Sequence, residues 1–297
     1  GHDLAVAHAP WHFRELPDGM DRGRFVPFAG TVKTDPRAIW DMARIVRTHR
    51  PDIVHAFTPR TLAHVVLATM WMRRPPAILS FRGITAVPRR IDLASHFTFL
   101  SRRVARHACE SEAVAAALVA GGVPRDRCSV VYNCVQRDAI AAVDPAEVRR
   151  RFGIPAGAFL VGTIADVRPV KGIDILLRSV LSSTGPSDAH VLIVGRIRDA
   201  AVERLCRDPR WRGRLHLAGH IPGAAGLAAA LDVFVMPSRA EGLSRALLEA
   251  MSQGTCPVVS DAGGMKELVR HEQEGLVFPR EGVRELADAL ARLRDER

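Results

Sequence analysis

The stretch Pro237-Ser-Arg-Ala-Glu-Gly-Leu-Ser-Arg-Ala-Leu-Leu-Glu-Ala-Met251 decides how this chain folds. It follows Val233–Met236, an apolar run short enough for a buried strand. A short polar loop comes next, and a helix begins near Leu243 or Ser244. Strand, loop and helix in that order form the repeating unit of a parallel sheet.

The same rhythm extends on both sides. Strands are expected at Phe159–Ile164, Val191–Val194, Arg214–Leu217 and Pro257–Ser260. Helices are expected at Ile173–Leu181, Ala201–Cys206, Gly226–Leu231, Ser244–Gln253, Met265–Arg270 and Val283–Arg294. In the first half the strand-like runs are Leu4–Ala7, Ile53–Ala56, Ala77–Phe81, His107–Glu110 and Ser129–Tyr132. Helical segments between them are Pro36–His49, Thr61–Met72, Phe97–Arg106 and Ala113–Gly121. Asp144–Gly157, with Pro145 and Pro155 around a charged helical turn, is the expected junction. The fold class is therefore α/β: two Rossmann-like domains, residues 1–142 and 143–297, facing each other across a cleft.

Composition narrows the partners. The 297 residues are 47% hydrophobic and 25% charged, ample for a core. No run of eighteen uncharged apolar residues exists, so a membrane-spanning helix is excluded. Leu62–Met72 and Val114–Val119, the most apolar stretches, read as core elements. The five cysteines (Cys109, Cys128, Cys134, Cys206, Cys256) are scattered, as expected of small core residues in a reducing cytosol. The net charge of +10 sits mostly in the first 150 residues, which carry +8. That excess fits an anionic acceptor or peripheral contact with an anionic membrane surface on its inner face, or it is only the arginine bias of a GC-rich genome. At 5% aromatic residues, with no recognition motif, nucleic acid is not an expected partner.

Two segments carry chemistry. The first helical turn after Pro237–Leu243 has amides without internal partners and the positive end of the helix dipole, a seat for a diphosphate. Glu241 precedes that helix, and Glu249 follows eight residues later among Leu247, Leu248, Ala250 and Met251. Two carboxylates flanking a phosphate seat can accept hydrogen bonds from sugar hydroxyls at both ends of an extended sugar nucleotide. In Val167-Arg-Pro-Val-Lys-Gly172, Arg168 and Lys171 offer a bidentate fork and a point charge to two phosphate groups. No Asp-x-Asp motif and no His/Cys cluster at metal-ligand spacing is present, so no metal and no cofactor are expected.

The Glu-x7-Glu block, with Gly254, Pro257-Val-Val-Ser-Asp-Ala-Gly-Gly-Met-Lys-Glu-Leu-Val269 and Glu274-Gly-Leu-Val277, resembles the retaining glycosyltransferases of family four. Pro51-Asp-Ile-Val-His55, Ser111-Glu112, Val131-Tyr-Asn133, Gly219-His220 and Asp232–Ser238 fall in the same family's order. The resemblance implies a GT-B fold and metal-independent transfer of a hexosyl group from a UDP- or GDP-sugar, UDP ahead of GDP. A glycan or lipid-linked acceptor is implied, with retention of configuration. It assigns Glu241 to the hexose and Glu249 to the ribose hydroxyls. The backbone of Gly242, Leu243 and Ser244 is assigned to the diphosphate, that of Gly263 and Gly264 to the sugar and phosphate, and that of Gly219, His220 and Ile221 to the base. The family usually carries an Arg where Asp166 stands, and Arg168 is expected to substitute. Its first strand and Gly-Gly loop are expected before Gly1, and its last helix after Arg297. Two rivals are a GT-B nucleotide-sugar epimerase and a truncated binder of sugar nucleotides without turnover. The epimerase would need further catalytic carboxylates and His in the first half, and these are not seen.

Overall fold

The computed structural model describes residues 5–8, 25–28, 30, 32–83 and 92–297. The chain divides into two compact units, Gly1–Val131 and Tyr132–Arg297.

In the first unit β1 (Val6–His8) pairs in parallel with β2 (Phe25–Pro27), a strand the sequence reading did not anticipate. Leu4, expected in the first strand, lies outside the described residues. The unit continues with α1 (Pro36–His49), β3 (Ile53–Ala56), α2 (Pro59–Ala68), β4 (Ala77–Arg82), α3 (Leu93–His96), β5 (Val104–Cys109), α4 (Glu112–Ala120) and β6 (Cys128–Val130). Strands β3, β4, β5 and β6 form one parallel sheet in that order. Capping explains the sharp helix starts. The side chains of Asp35, Thr58 and Ser111 accept first-turn amides, and Pro36 and Pro59 stand where an amide is not needed. Leu62, Val65, Val66, Ile78, Val104 and Leu118 fill the core.

The helix expected at Phe97–Arg106 is corrected. The helix is the single turn α3, and Val104–Arg106 belong to β5, with Val104 opposite Ile78. Pairing buries Val104 completely, and burial of a β-branched residue in a sheet outweighs the helical reading of its neighbours.

The second unit holds α5 (Pro145–Arg151), β7 (Leu160–Ile164), α6 (Ile173–Leu181), β8 (His190–Val194), α7 (Ala200–Cys206), β9 (Leu215–Gly219), β10 (Val233–Met236), α8 (Arg245–Ser252), β11 (Cys256–Ser260), α9 (Met265–Leu268), β12 (Leu276–Phe278) and α10 (Val283–Asp295). Its six strands are parallel, ordered β12-β11-β10-β7-β8-β9. Alternate strand residues serve two cores. Val161, Val191, Ile193, Val233, Val235 and Val258 meet α6 and α10 on one face. Leu160, Leu192, Val194, Phe234, Met236 and Val259 meet α5 and α8 on the other. A sheet covered on both faces needs continuous apolar strands, which is what the sequence shows.

Within Asp144–Gly157, α5 belongs to the second unit: Arg149 is buried, pairs with Asp232 at 3.0 Å and donates to the carbonyls of Ala156, Ala158 and Ala230. Two further expectations are corrected, on Gly226–Leu231 and on Cys134. Ala224–Ala230 forms a 3-10 helix, where an α-helix was expected at Gly226–Leu231. A Cβ on Gly226 would lie 2.3 Å from the Ala141 carbonyl oxygen, an approach only glycine permits. Cys134 is exposed, unlike the small core residue expected, while Cys109 and Cys128 are buried.

Candidate active site

In the second unit the chain leaves β7 toward β8 and β9, then returns to β10 and proceeds toward β11 and β12. The loops after β7 and β10 therefore diverge at the carboxyl ends of two adjacent strands. That switch point is where open parallel sheets bind ligands.

The loop after β7 ends in a 3-10 turn, Pro169–Lys171, closed by Gly172 at φ +64°. A Cβ there would stand 2.0 Å from the Pro237 carbonyl oxygen, so glycine lets the two loops touch. Across that contact Lys171 Nζ lies 2.6 Å from Glu241 Oε2, with the side chains 17% and 14% exposed. Ser238 Oγ donates to the same carboxylate oxygen at 3.1 Å, and Ser260 Oγ donates to the Ser238 carbonyl. One charge-assisted pair thus joins the two loops where they separate.

Arg239 and Asp174, which the sequence reading missed, brace this arrangement. The Arg239 amide donates to the Val170 carbonyl at 2.8 Å, and its guanidinium donates to the Pro169 carbonyl and to both oxygens of Asp174. Glu281 takes the remaining donors of Arg239 at 2.6 and 3.0 Å. Burial pushes the Asp174 carboxyl up, but Arg239 and Arg178 outweigh it and hold the carboxyl below its ordinary range. Arg239 is held above its ordinary value by its bonds to Asp174 and Glu281. In sequence Asp174 is only an acidic residue in a first helical turn, and nothing marks Arg239 as its partner.

The helix expected to begin near Leu243 or Ser244 is α8. Ser244 is the N-cap of α8, and its side chain accepts the Leu247 amide. The amides of Ser244, Arg245 and Ala246 therefore have no intrahelical acceptor at this end of α8. The Leu243 carbonyl accepts from Asn133 Nδ2 at 3.2 Å. The Gly264 amide donates to the Gly242 carbonyl at 2.9 Å, so it ties two loops together and is not open to a ligand. Gly263 takes φ +56°, and α9 behind it is a single turn. Glu249 is not isolated among apolar residues: it sits four positions from Arg245, at 3.3 Å, while Leu247 and Ala250 face the core.

Arg168 is exposed in extended backbone before the 3-10 turn, and no acidic side chain pairs with it among the described residues. Its loop is zipped to the loop after β8 by bonds from the Val167 amide to Arg196 and from the Arg198 amide to Val167. Gly219 ends β9 at φ +65° and accepts the Gly195 amide at 2.8 Å. His220 is exposed, and Ile221 is partly buried against the core on the α5 and α8 face of the sheet. The structure therefore gathers Lys171, Glu241, Gly242, Leu243 and Gly264 by direct contact. Arg168 opens the same turn as Lys171 in the loop after β7, and Gly219, His220 and Ile221 stand at the end of β9 on the same sheet edge.

The profile described as "Glycosyl transferases group 1" matches residues 158–296, and "Glycosyltransferase Family 4" matches residues 1–139. Together they take in all of the chain except 140–157 and residue 297. The chain carries the two domains of the GT-B glycosyltransferase fold. Among curated relatives of this GT-B chain, glycogen synthase of Thioalkalivibrio sulfidiphilus is 32% identical over 162 residues, 50% of this chain and 33% of that protein. GDP-mannose-dependent alpha-mannosyltransferase of Mycobacterium tuberculosis is 29% identical over 273 residues, 86% of this chain and 68% of that one. The chain thus spans about a third of the glycogen synthase and two thirds of the mannosyltransferase. The GT-B fold also appears in HepE of Anabaena in complex with UDP-glucose, at TM-score 0.75 and 21% identity, covering 92% of this chain and 76% of HepE. Sucrose-phosphate synthase of Thermosynechococcus elongatus gives TM-score 0.75 at 16% identity, covering 93% and 72%. No helix among the described residues of this GT-B chain is long and apolar enough to cross a membrane.

Proposed function

We propose that the chain transfers a hexosyl group from a nucleotide-diphosphate sugar to a glycan or lipid-linked acceptor, without a metal and with retention of configuration, as in family four. The observation that carries the reading is the Lys171–Glu241 pair, 2.6 Å across the two loops of the switch point. In this reading the diphosphate takes Lys171 away from Glu241 and rests on the amides of Arg245 and Ala246, with Arg168 as the second cation. Glu241, released from the ammonium and still held by Ser238, then accepts hydroxyls of the hexose. Charge developing on the departing diphosphate meets a lysine and a helix N-terminus already in place, so little reorganisation accompanies bond cleavage. The departing phosphate oxygen takes the proton of the acceptor hydroxyl on the same face of the sugar. Glu249 holds the ribose, and the backbone of Gly219–Ile221 packs on the base.

UDP stands ahead of GDP as the nucleotide. HepE with UDP-glucose shares the fold, while the mycobacterial relative is named for GDP-mannose, so the choice belongs to measurement. The acceptor class follows from the family and from the basic first half, which also suits a cytoplasmic protein peripheral to an anionic membrane. Calorimetry with UDP, GDP, UDP-glucose and GDP-mannose, paired with assays of donor hydrolysis and transfer, tests the reading. Binding without turnover for every donor and acceptor would reduce the chain to a sugar-nucleotide binder. Absence of nucleotide binding would end the proposal.

A further inference from the structure

One cavity of the second unit lies apart from the switch point. It measures about 310 Å³ and is lined by Arg178 of α6, Ala201, Arg204 and Leu205 of α7, and Arg207 and Asp208 just beyond. Three guanidiniums therefore border a single concavity. Arg204 and Arg207 are exposed and have no carboxylate partner among the described residues. Arg178 donates to Asp174 Oδ2 at 2.7 Å, but that carboxylate already holds Arg239 on both oxygens and its side chain is 3% exposed. Asp208 is the carboxylate of the lining. Its two oxygens are taken by the Arg210 side chain at 2.7 and 3.0 Å, and these bonds hold its carboxyl down at about 2. Asp174 and Asp208 are thus each held by an arginine outside the cavity, Arg239 and Arg210, while Arg204 and Arg207 keep their charge unpaired among the described residues. The floor is apolar: Leu205 is half-buried against the core, and Ala201 is small enough to leave the space open.

We propose that this cavity binds a small phosphate monoester, such as a phosphorylated sugar, at a site separate from the nucleotide-sugar seat. The charge argument selects the ligand. A monoester carries between one and two negative charges at neutral pH and three acceptor oxygens, and guanidinium forks from two helices can share them. The volume falls at the lower end of small-molecule pockets and suits a single sugar ring with its phosphate. The ring would lie on Leu205 and Ala201, with the phosphate between Arg204, Arg207 and Arg178. The site touches the donor loops through one carboxylate, because Asp174 is shared by Arg178 and by the Arg239 that braces Pro169–Lys171.

Isothermal titration of the chain with a hexose 6-phosphate, in low salt and with excess UDP filling the nucleotide seat, tests this directly. Saturable 1:1 binding is expected, weakening as sodium chloride rises because the contact is electrostatic. Replacing Arg204 and Arg207 together by Gln removes two charge-assisted partners and should weaken binding about tenfold or more. The same variant should keep the wild-type melting temperature and UDP affinity, since both side chains are exposed and outside the donor loops. No saturable binding in the wild type, or equal binding in the double variant, overturns the proposal. Binding of the hexose phosphate by a chain that fails to bind UDP would support it while sinking the donor reading above.

Discussion

Lys171 and Glu241 stand 70 positions apart in the chain, yet their charged ends lie 2.6 Å apart, each at the tip of a loop leaving one of two adjacent strands. Without a diphosphate each neutralises the other. Both side chains are mostly buried, 17% and 14% exposed.

Lys171→Ala should therefore reduce transfer by about a hundredfold to a thousandfold, the usual loss when one electrostatic contact to a departing group is removed. Nucleotide affinity should fall with it. Glu241→Gln should keep nucleotide affinity and lose turnover. Steady-state kinetics with nucleotide titration separates the two, and normal turnover in either variant would defeat the assignment.

Glu249 reads as a binding contact. Glu249→Gln should raise KM for the donor about tenfold, the scale of one charge-assisted hydrogen bond, with little change in kcat. A fall in kcat at constant KM would move Glu249 out of the ribose site.

Asp174→Asn removes the carboxylate that Arg239 and Arg178 share. Arg239 keeps Glu281 but loses its buried carboxylate partner, so folding stability should drop by about 1–3 kcal/mol. The two donor loops lose their brace, and nucleotide affinity should fall in the same variant. Chemical denaturation and calorimetry measure both, and unchanged values would reduce the cluster to surface decoration.

Gly172→Ala would put a Cβ 2.0 Å from the Pro237 oxygen at φ +64°. The loops must separate, with an expected loss of about 2 kcal/mol or more and a displaced Lys171. Gly153→Ala is the control: φ is +66° but nothing lies within 4 Å, so only the backbone strain is felt. Equal destabilisation of the two variants would show that the loop contact contributes nothing.

His107 governs a pH dependence in the first unit. It is buried, its Nδ1 meets Ser80 Oγ at 2.6 Å, and burial, with Arg127 and Arg82 nearby, lowers its pKa to about 4. The folded ring stays neutral where the unfolded ring, near 6.5, already takes a proton. Its contribution is complete above that value and is lost as pH falls toward 4, amounting to about 3 kcal/mol. Denaturant melts of wild type and His107→Asn between these limits check this, the variant showing the flatter profile.

The sequence by itself determined the architecture of the second unit. Apolar runs such as Val233–Met236 and Phe159–Ile164 can be stable only when covered on both faces, and that requirement alone implies a parallel sheet with helices on each side. The Glu-x7-Glu block marked the loop that matters because its residue types are local to one strand–loop–helix unit. Tertiary structure decided the rest. Val104–Arg106 became strand because of a partner 26 positions earlier in the chain, opposite Val104 at Ile78. Helix α5 was anchored to the second sheet because Arg149 found Asp232, 83 positions on. Asp174 and Arg239 became a clamp only when two loops met over Gly172, and the Gly264 amide was spent on Gly242 by the same closure. Spacing within a segment reports what is near along the chain. Which charge meets which carboxylate depends on strand order, and that emerges only when the sheet is assembled.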